Sequence, residues 1–268
     1  MTTIACLVAQ TWRGAPEAVR ALVWEVFFAS LGRGVSLDVH MPWLADAERT
    51  LCIALAETDD AQPALAALAI REIDLPPVGR VGLTGLVCVR ADRRGQGLST
   101  RLLAEAEAEA RRAGLVALLL WTGKPDVYAK VGYQVDQVEQ VVRVTRPDAA
   151  LASTDFRCEA QSLPLGLPPF AAGALSCSSA AASLTVLTGP QGHTLAAWTG
   201  PWDEIFALLA AALPSQWQFN AGADDELLHQ LAQRGWGLEA SPGAVRMRRD
   251  LTSLSLPAIP PLPLLSRV

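Results

Sequence analysis

The spacing of apolar residues in the first half of the chain predicts a helix followed by a group of strands. A short apolar segment at 4–9 is typical of a buried strand, and apolar residues then recur at helical spacing from Val19 to Phe27, after Pro16. Three strand-like segments follow, at 51–57, 64–73 and 81–89. Turn-rich stretches separate these segments, which indicates an antiparallel meander.

An amphipathic helix and a buried strand come next. The helix spans about 98–113, with leucines and alanines on one side and charged residues on the other. The segment 115–121 is almost wholly apolar, which predicts a strand that is buried on both faces. A short helix at 126–130 leads to Gly132 and to a long strand that ends near Val144.

A similar pattern appears on a smaller scale in the second half. Residues 145–180 are rich in Pro, Ser, Ala and Gly, and we place a domain boundary there. Further strands are predicted at 183–188, 193–198, 215–220 and 244–249, and helices from Pro201 and at 224–234. The predicted regions are a first domain at 1–146, a linker at 147–180, a smaller α/β domain at 181–250 and an extended Pro-rich tail at 251–268.

The composition narrows the range of functions. A hydrophobic fraction of 51% and a charged fraction of 18% are those of a globular protein with a substantial core. A net charge of −5 argues against a nucleic-acid-binding protein, which usually carries a basic face. No apolar stretch reaches the roughly 20 residues that span a bilayer, and the N-terminal residues do not resemble a signal peptide. We therefore expect a cytoplasmic protein without membrane or nucleic-acid partners.

The cysteines do not form a recognisable pattern. There are five, at Cys6, Cys52, Cys88, Cys158 and Cys177, and most lie among apolar residues. Disulfide frameworks and zinc sites require closer, paired spacing. We therefore expect no metal site, and free thiols that fill the core of a protein in a reducing compartment.

The most informative chemistry in the sequence is concentrated at one turn. A strand ending in LVCV is followed by the basic glycine-rich turn RRGQG and then by the helix at 98–113. Glycine turns at helix N-termini present free N–H groups and the positive end of the helix dipole, which together bind phosphate. The turn is neither a Walker loop nor a dinucleotide fingerprint, because the Lys-Ser/Thr pair and the further glycines are missing. Taken alone, it also fits an ordinary strand–helix corner.

Two linked motifs resemble those of the GNAT superfamily of N-acetyltransferases. The segment Val89–Ser99, VRADRRGQGLS, resembles motif A of that family, with Ser99 where the family has Gly or Ala. Further along, Tyr128–Tyr133, YAKVGY, resembles the family motif Tyr-x-x-x-Gly-Phe at the usual distance. The resemblance covers about residues 1–146 and implies an α/β (α+β) GNAT fold, with a mixed, mostly antiparallel sheet flanked by helices.

The resemblance also implies roles for individual residues. Acetyl-CoA would be the co-substrate, with its pantetheine arm along the strand at Val87, Cys88 and Val89. Its pyrophosphate would bind the N–H groups of Arg94, Gly95, Gln96, Gly97, Leu98 and Ser99. Tyr128 would protonate the leaving thiolate, because a phenol can donate a proton to an anion while it remains neutral at pH 7. The acetyl group would pass to a primary amine of a small-molecule or peptidyl acceptor by direct attack in a ternary complex.

The base that would deprotonate the amine is not evident. The strand VGLTGLVCV carries no Asp or Glu, although many relatives have a carboxylate there. Glu72 and Asp74 are candidates, but solvated surface residues are the simpler interpretation. Asp38 and His40 lie in a segment that fits an ordinary polar loop equally well. The missing carboxylate supports a second hypothesis, a non-catalytic acyl-CoA-binding regulatory module.

Two further features bear on the site. The sequence LWTGKPDVYAKVGY resembles the enhanced-intracellular-survival branch of the family, in which a C-terminal carboxylate, here Val268, can act as the base; a structural strap is the alternative. Trp121 stands where many relatives have an Asn that contacts pantetheine.

The second half contains a segment that resembles the Tyr128–Tyr133 motif. In DELLHQLAQRGWGLEA, Gly235-Trp236 matches Gly132-Tyr133 and Leu231 matches Tyr128, but no glycine turn precedes it. We interpret the second half as a degenerate partial repeat of the same fold, with an unrelated helix-capped module as the alternative.

Overall fold

The computed structural model describes residues 7–57, 63–147, 155–222 and 224–268. The chain forms two compact units. The first contains the residues up to Asp136 together with Arg246–Pro261 and Val268, and the second contains Gln137–Val245 and Leu262–Arg267. Residues 4–6 of the strand predicted at 4–9 lie outside the described ranges.

Most elements follow the order that the apolar pattern predicted, with boundaries that differ by a few residues. Up to Ala129 they are β1 (Val8–Arg13), α1 (Glu17–Phe27), α2 (Leu37–His40), β2 (Thr50–Ala56), β3 (Ala66–Leu75), β4 (Gly79–Val89), α3 (Leu98–Arg112), β5 (Ala117–Thr122) and α4 (Pro125–Ala129). They continue with β6 (Gln134–Thr145), β7 (Arg157–Ala160), β8 (Gly173–Ser178), β9 (Ser183–Gly189), β10 (Gly192–Thr199), α5 (Trp202–Ala212), β11 (Gln216–Ala221), α6 (Glu226–Gln233) and β12 (Gly237–Asp250). The stretch 147–180, predicted as a linker, instead contains the strands β7 and β8 and belongs to the second unit, which begins at Gln137.

The first unit is organised around a mixed sheet. Its strands lie in the order β1-β2-β3-β4-β5, followed by the end of β12. Strands β1 to β4 are antiparallel neighbours, which confirms the predicted meander, and β5 runs parallel to β4. The helices α1 and α3 pack on this sheet through their apolar stripes. The mixed sheet flanked by helices that the sequence indicated is therefore present.

The second unit has a run of adjacent strands and its own aromatic core. The strand order is β12-β6-β11-β10-β9-β8-β7, and β10 and β11 are parallel. Trp217 and Trp236 are buried in its core, with ring centroids 6.1 Å apart, and Phe206 packs on Trp236 at 5.8 Å. These aromatic side chains fill the interior of the unit.

The second unit repeats the later elements of the first. The series β10–α5–β11–α6–β12 follows the order of β4–α3–β5–α4–β6. After α4 the N–H of Tyr133 donates to the carbonyl of Tyr128 over 3.2 Å, and after α6 the N–H of Trp236 donates to the carbonyl of Leu231 over 3.1 Å. The two turns share the same hydrogen bonds, which confirms the interpretation of the second half as a partial repeat.

The repeat lacks the glycine-rich turn that joins β4 to α3 in the first unit. Only Gly200 and Pro201 separate β10 from α5, and the first turn of α5 carries Asp203 and Glu204. Carboxylates at a helix N-terminus occupy the position that an anionic ligand would need. Leu231, at the position of Tyr128, cannot donate a proton, so the repeat is degenerate in both features.

The expectation of free thiols is wrong for two of the cysteines. Cys158 in β7 and Cys177 in β8 form a disulfide bond with a Cα–Cα distance of 4.1 Å. The antiparallel register of β7 and β8 puts these two residues directly opposite each other, which a separation of 19 residues in the sequence does not reveal. Cys52 and Cys88 are free and buried, as expected, and Cys6 lies outside the described residues.

The chain after β12 is extended, except for one helical turn at Leu264–Ser266. None of the helices in the described ranges is long and apolar enough to cross a bilayer.

The tight packing between β3, β4 and β5 gives a stability prediction at Gly82. A Cβ at this position would lie 2.6 Å from Ile70 Cγ2 and 2.7 Å from Leu118 Cδ2. We expect Gly82→Ala to lower the free energy of unfolding by about 1–3 kcal/mol, because an extra methyl group overpacks a filled core. Gly123→Ala is the matched control, since no atom lies within 4 Å of its added Cβ. Equal urea midpoints for the two variants would contradict this account.

Candidate functional site

The site begins where β4 and β5 separate. Their parallel pairing runs from Val81 opposite Ala117 to Leu83 opposite Leu119 and ends there, although β4 continues to Val89. Just beyond this point Leu86 adopts a left-handed φ of 56°, and the register between β3 and β4 shifts. Such a bulge bends its strand and marks sites where pairing ends. One edge of β4 is therefore left open along Thr84–Val89.

The open edge presents backbone groups in an alternating order. The N–H of Arg90 donates to Leu65 in the neighbouring chain segment, and Cys88 pairs with Ala67 of β3. In an antiparallel ladder the backbone groups of alternate residues point to opposite sides. The N–H and C=O groups of Val87 and Val89 therefore point away from β3, toward the open side. This edge can accept an extended ligand that carries amide groups.

Directly after β4 the chain forms a glycine-rich turn that has the geometry to bind an anion. Gly95 and Gly97 adopt left-handed φ values of 78° and 74°, and a Cβ on either would meet open space. Gly97 caps α3 without a side-chain hydrogen bond, and no acidic residue occupies the first turn of the helix. The N–H groups of Leu98, Ser99 and the residues before them therefore have no competing side-chain cap or carboxylate in α3. They point at the space in which the dipole of α3 favours negative charge.

Arg94 adds a positive charge to this turn. Its Nε donates to the carbonyl of Val89 over 3.3 Å, which holds the side chain beside the open edge of β4. The nearby Arg90 and Arg93 are neutralised by Asp92 and Glu57, whereas no carboxylate in the described ranges forms an ion pair with Arg94. Arg94 is thus available to an anion, and a diphosphate with an amide-bearing arm fits the turn and the edge together.

Tyr128 lies on α4, close to the opening. Its side chain is partly buried, and this burial raises the pKa of its phenol above the ordinary value. The phenol is therefore a neutral proton donor near pH 7. Its ring contacts Tyr133 edge-on, with centroids 6.0 Å apart, and Tyr133 reaches Thr84 of β4. These contacts bring the end of α4 to the point where β4 leaves β5.

Comparisons with known proteins agree with this geometry. Residues 17–133 match the family described as "Acetyltransferase (GNAT) family". The chain contains a GNAT domain. A search of curated proteins found no match to the sequence.

Solved structures extend the likeness beyond the GNAT domain. A probable N-acyltransferase from Enterococcus faecalis covers 92% of this chain and 73% of its own, at 10% identity and a TM-score of 0.62. Eis1 from Mycobacterium abscessus covers 90% and 74%, at 12% identity and a TM-score of 0.56. A tandem GNAT protein from the clavulanic acid biosynthesis pathway covers 93% and 100%, at 9% identity and a TM-score of 0.61. At these identities the likeness establishes the fold.

Glu72 and Asp74, the carboxylates considered as a general base, both form ion pairs with arginines. Glu72 is 3% exposed and forms ion pairs with Arg13 and Arg80, so the interpretation as a solvated residue is wrong for it. It is buried because two guanidinium groups compensate its charge. Asp74 is solvent-exposed and pairs with Arg49 over 3.2 Å, as a surface residue would.

The two loop candidates also have structural partners. Asp38 lies in the first turn of α2 rather than in a loop; it is exposed and pairs with Arg20 over 2.6 Å, as an ordinary polar surface residue does. His40 is only 2% exposed, and its Nε2 accepts a hydrogen bond from the N–H of Val35. Its ring also lies 4.7 Å from that of Phe28, so His40 belongs to the core rather than to a polar loop.

Two residues from the last part of the chain contact other residues of the first unit near the site. The sequence had raised Val268 as a candidate, whereas nothing in the sequence indicated Arg249. A Cβ on Gly85 of β4 would lie 2.9 Å from the main-chain carbon of Val268, so Val268 packs against the open part of β4. Arg249 of β12 donates to Glu107 of α3 over 3.0 Å and to the carbonyl of Gly132 over 3.3 Å. These contacts support the turn that carries Tyr133. They span more than a hundred residues, so no local sequence signal could have found them. Among the described residues there is no cluster of His, Cys, Asp or Glu that could hold a metal ion.

The burial of Cys88 yields a prediction about thiol chemistry in the site. Burial raises the pKa of the Cys88 thiol to about 12, and the side chain is 4% exposed. The thiolate is the reactive form, so Cys88 should resist alkylation in the folded protein at pH 8 and react after unfolding. Peptide mapping by mass spectrometry after iodoacetamide treatment measures this, with Cys52 as the buried comparison. Rapid labelling of native Cys88 would show that a nucleophilic thiol faces the site.

Proposed function

We propose that this chain is an acetyl-CoA-dependent N-acyltransferase that transfers an acetyl group to a primary amine of a small-molecule or peptidyl acceptor. The observation that carries the proposal is the continuity of two features in the GNAT domain. The open edge of β4 leads directly into the anion-binding turn at the start of α3. Coenzyme A matches this arrangement, because amide groups and a pyrophosphate follow each other along the molecule.

Different residues would bind the pantetheine arm and the pyrophosphate of coenzyme A. The backbone groups of Val87 and Val89, with Cys88 between them, would pair with the pantetheine amides as an added strand does. The N–H groups of the turn and first helical residues would bind the pyrophosphate; these are Arg94, Gly95, Gln96, Gly97, Leu98 and Ser99. The guanidinium of Arg94 would add a charge-assisted hydrogen bond.

Tyr128 would act as the general acid. The thioester supplies an activated acetyl group, and a neutral amine attacks it directly while both substrates are bound. The thiolate that leaves needs a proton, and the Tyr128 phenol can donate it because burial keeps the phenol protonated at neutral pH.

A non-catalytic acyl-CoA-binding module is the second candidate. It is favoured by the engagement of Glu72 with two arginines and by the absence of Asp and Glu from β4. Thiol release separates the two candidates: binding of acetyl-CoA without turnover on any amine would favour the module. A cytoplasmic location is part of the proposal. In that reducing compartment the disulfide between Cys158 and Cys177 would be subject to reduction.

The first prediction of this proposal concerns coenzyme A binding. We expect Arg94→Gln to raise the dissociation constant of coenzyme A about tenfold, because a charged hydrogen bond to phosphate is lost. Arg112→Gln is the matched control, since this arginine lies at the other end of α3 and pairs with Glu109. Isothermal titration calorimetry measures both. The absence of any heat with the unaltered protein would end the proposal.

The second prediction concerns turnover. Tyr128→Phe should lower kcat about 100-fold on the best acceptor of an amine panel, because general acid catalysis contributes at least this much. Its affinity for acetyl-CoA should stay within about twofold of the unaltered protein, since phenylalanine preserves the ring packing. The release of coenzyme A thiol measures kcat, and calorimetry measures the affinity for acetyl-CoA. Unchanged turnover in the variant would remove Tyr128 from the mechanism.

A further inference from the structure

The hydroxyl groups of Thr84 and Tyr133 are buried near Tyr128 and have no role in the proposed proton transfer. Thr84 is 3% exposed and Tyr133 is 4% exposed. Neither hydroxyl makes a hydrogen bond of normal geometry to any group of the described residues, the other hydroxyl included. The Thr84 hydroxyl nevertheless lies close enough to lower the pKa of Tyr133. Buried polar groups are normally satisfied, so such a pair in a native core requires an explanation.

Thr84 and Tyr133 both lie at the point where β4 separates from β5. Thr84 is the first residue of β4 after the pairing with β5 has ended at Leu83. Tyr133 follows α4, and its ring packs edge-on against that of Tyr128 at an interplanar angle of 71°. The backbone N–H of Tyr133 also donates to the carbonyl of Tyr128. Tyr133 therefore connects the opening of the sheet with the phenol of Tyr128.

Burial is the main reason why the Tyr133 hydroxyl stays neutral. Burial raises the pKa of Tyr133, and the hydroxyl of Thr84 acts in the opposite direction. Tyr128 of α4 and Glu107 of α3 raise this pKa further, whereas Arg249 of β12 lowers it. Arg249 is itself paired with Glu107 over 3.0 Å. The burial of Tyr133 thus favours the neutral form of its hydroxyl.

We propose that Tyr133 is a positioning residue for Tyr128, anchored in the interior by the hydroxyl of Thr84. This inference rests on the proposed function, in which Tyr128 gives its proton to the thiolate of coenzyme A. In that step the O–H bond of Tyr128 breaks, an S–H bond forms, and Tyr128 is left as a phenolate. The phenolate regains a proton that the attacking amine has lost, so the acid is restored. Tyr133 fixes the ring of Tyr128 and its hydroxyl dipole stabilises the transient phenolate.

The chain is well suited to a direct test because it contains only two tyrosines. Protein labelled with ¹³C at the tyrosine Cζ atoms gives one resonance for each, and a pH titration follows their ionisation separately. We expect Tyr133→Phe to move the pKa of Tyr128 upward by about one unit, since a nearby polar group that stabilises the phenolate is lost. Thr84→Val should shift the Cζ resonance of Tyr133 and raise the pKa of Tyr128 by a smaller amount. Thr84→Ser, which keeps the hydroxyl, should restore both values.

Kinetics provide the second readout. Tyr133→Phe should lower kcat about three- to tenfold and leave the KM for acetyl-CoA unchanged, because the ring and the binding edge remain. In a Tyr128→Phe background the same substitution should have no further effect on kcat. An equal loss in both backgrounds would assign Tyr133 a merely structural role and overturn the inference.

The two proposals fail in different ways. If the unaltered protein turns over no amine, the proposed function is wrong, but the titration still decides whether Tyr133 acts on Tyr128. An unchanged or lowered pKa of Tyr128 in Tyr133→Phe, with native circular dichroism, would overturn the inference even in an active enzyme.

Discussion

The separation of β4 from β5 is the constraint on which the rest of the site depends. Three residue pairs hold these parallel strands together, and the bulge at Leu86 then turns β4 away. A sheet interior normally satisfies every backbone group, so an open edge inside a mixed sheet creates a place for an extended ligand. The turn at Arg94–Ser99 lies at the end of that edge because the chain passes directly from β4 into α3.

The supports of the site come from distant parts of the chain. Tyr128 lies on a five-residue helix, which is too short to be stable by itself. Its orientation depends on Tyr133, on the Arg249 side chain that holds the carbonyl of Gly132, and on Glu107, which in turn holds Arg249. A short helix is thus fixed by a buried ring and an ion pair, and the proposed acid gains a defined position.

The second unit has the fold of the GNAT domain in part but not its candidate site residues. It repeats the parallel strand pair and the hydrogen bonds of the turn after α4, and it has a register shift in β10 like that in β4. It has neither the glycine turn nor a tyrosine at Leu231. The same scaffold therefore packs without the glycine turn and without the tyrosine, because the residues that stabilise the fold differ from those that could carry its chemistry.

Much of this protein was determined by the sequence alone. Apolar periodicity predicted nearly every helix and strand, because burial of one face is a local property that spacing records. The glycine turn and the Tyr128–Tyr133 motif indicated the GNAT domain, since both are contiguous in the chain. Sequence reasoning failed where distant segments meet: the disulfide between Cys158 and Cys177, the burial of Glu72 and His40, and the burial of the Thr84 and Tyr133 hydroxyls. Only the tertiary structure decided these, because strand register and the compensation of buried charges depend on partners that no local pattern can specify.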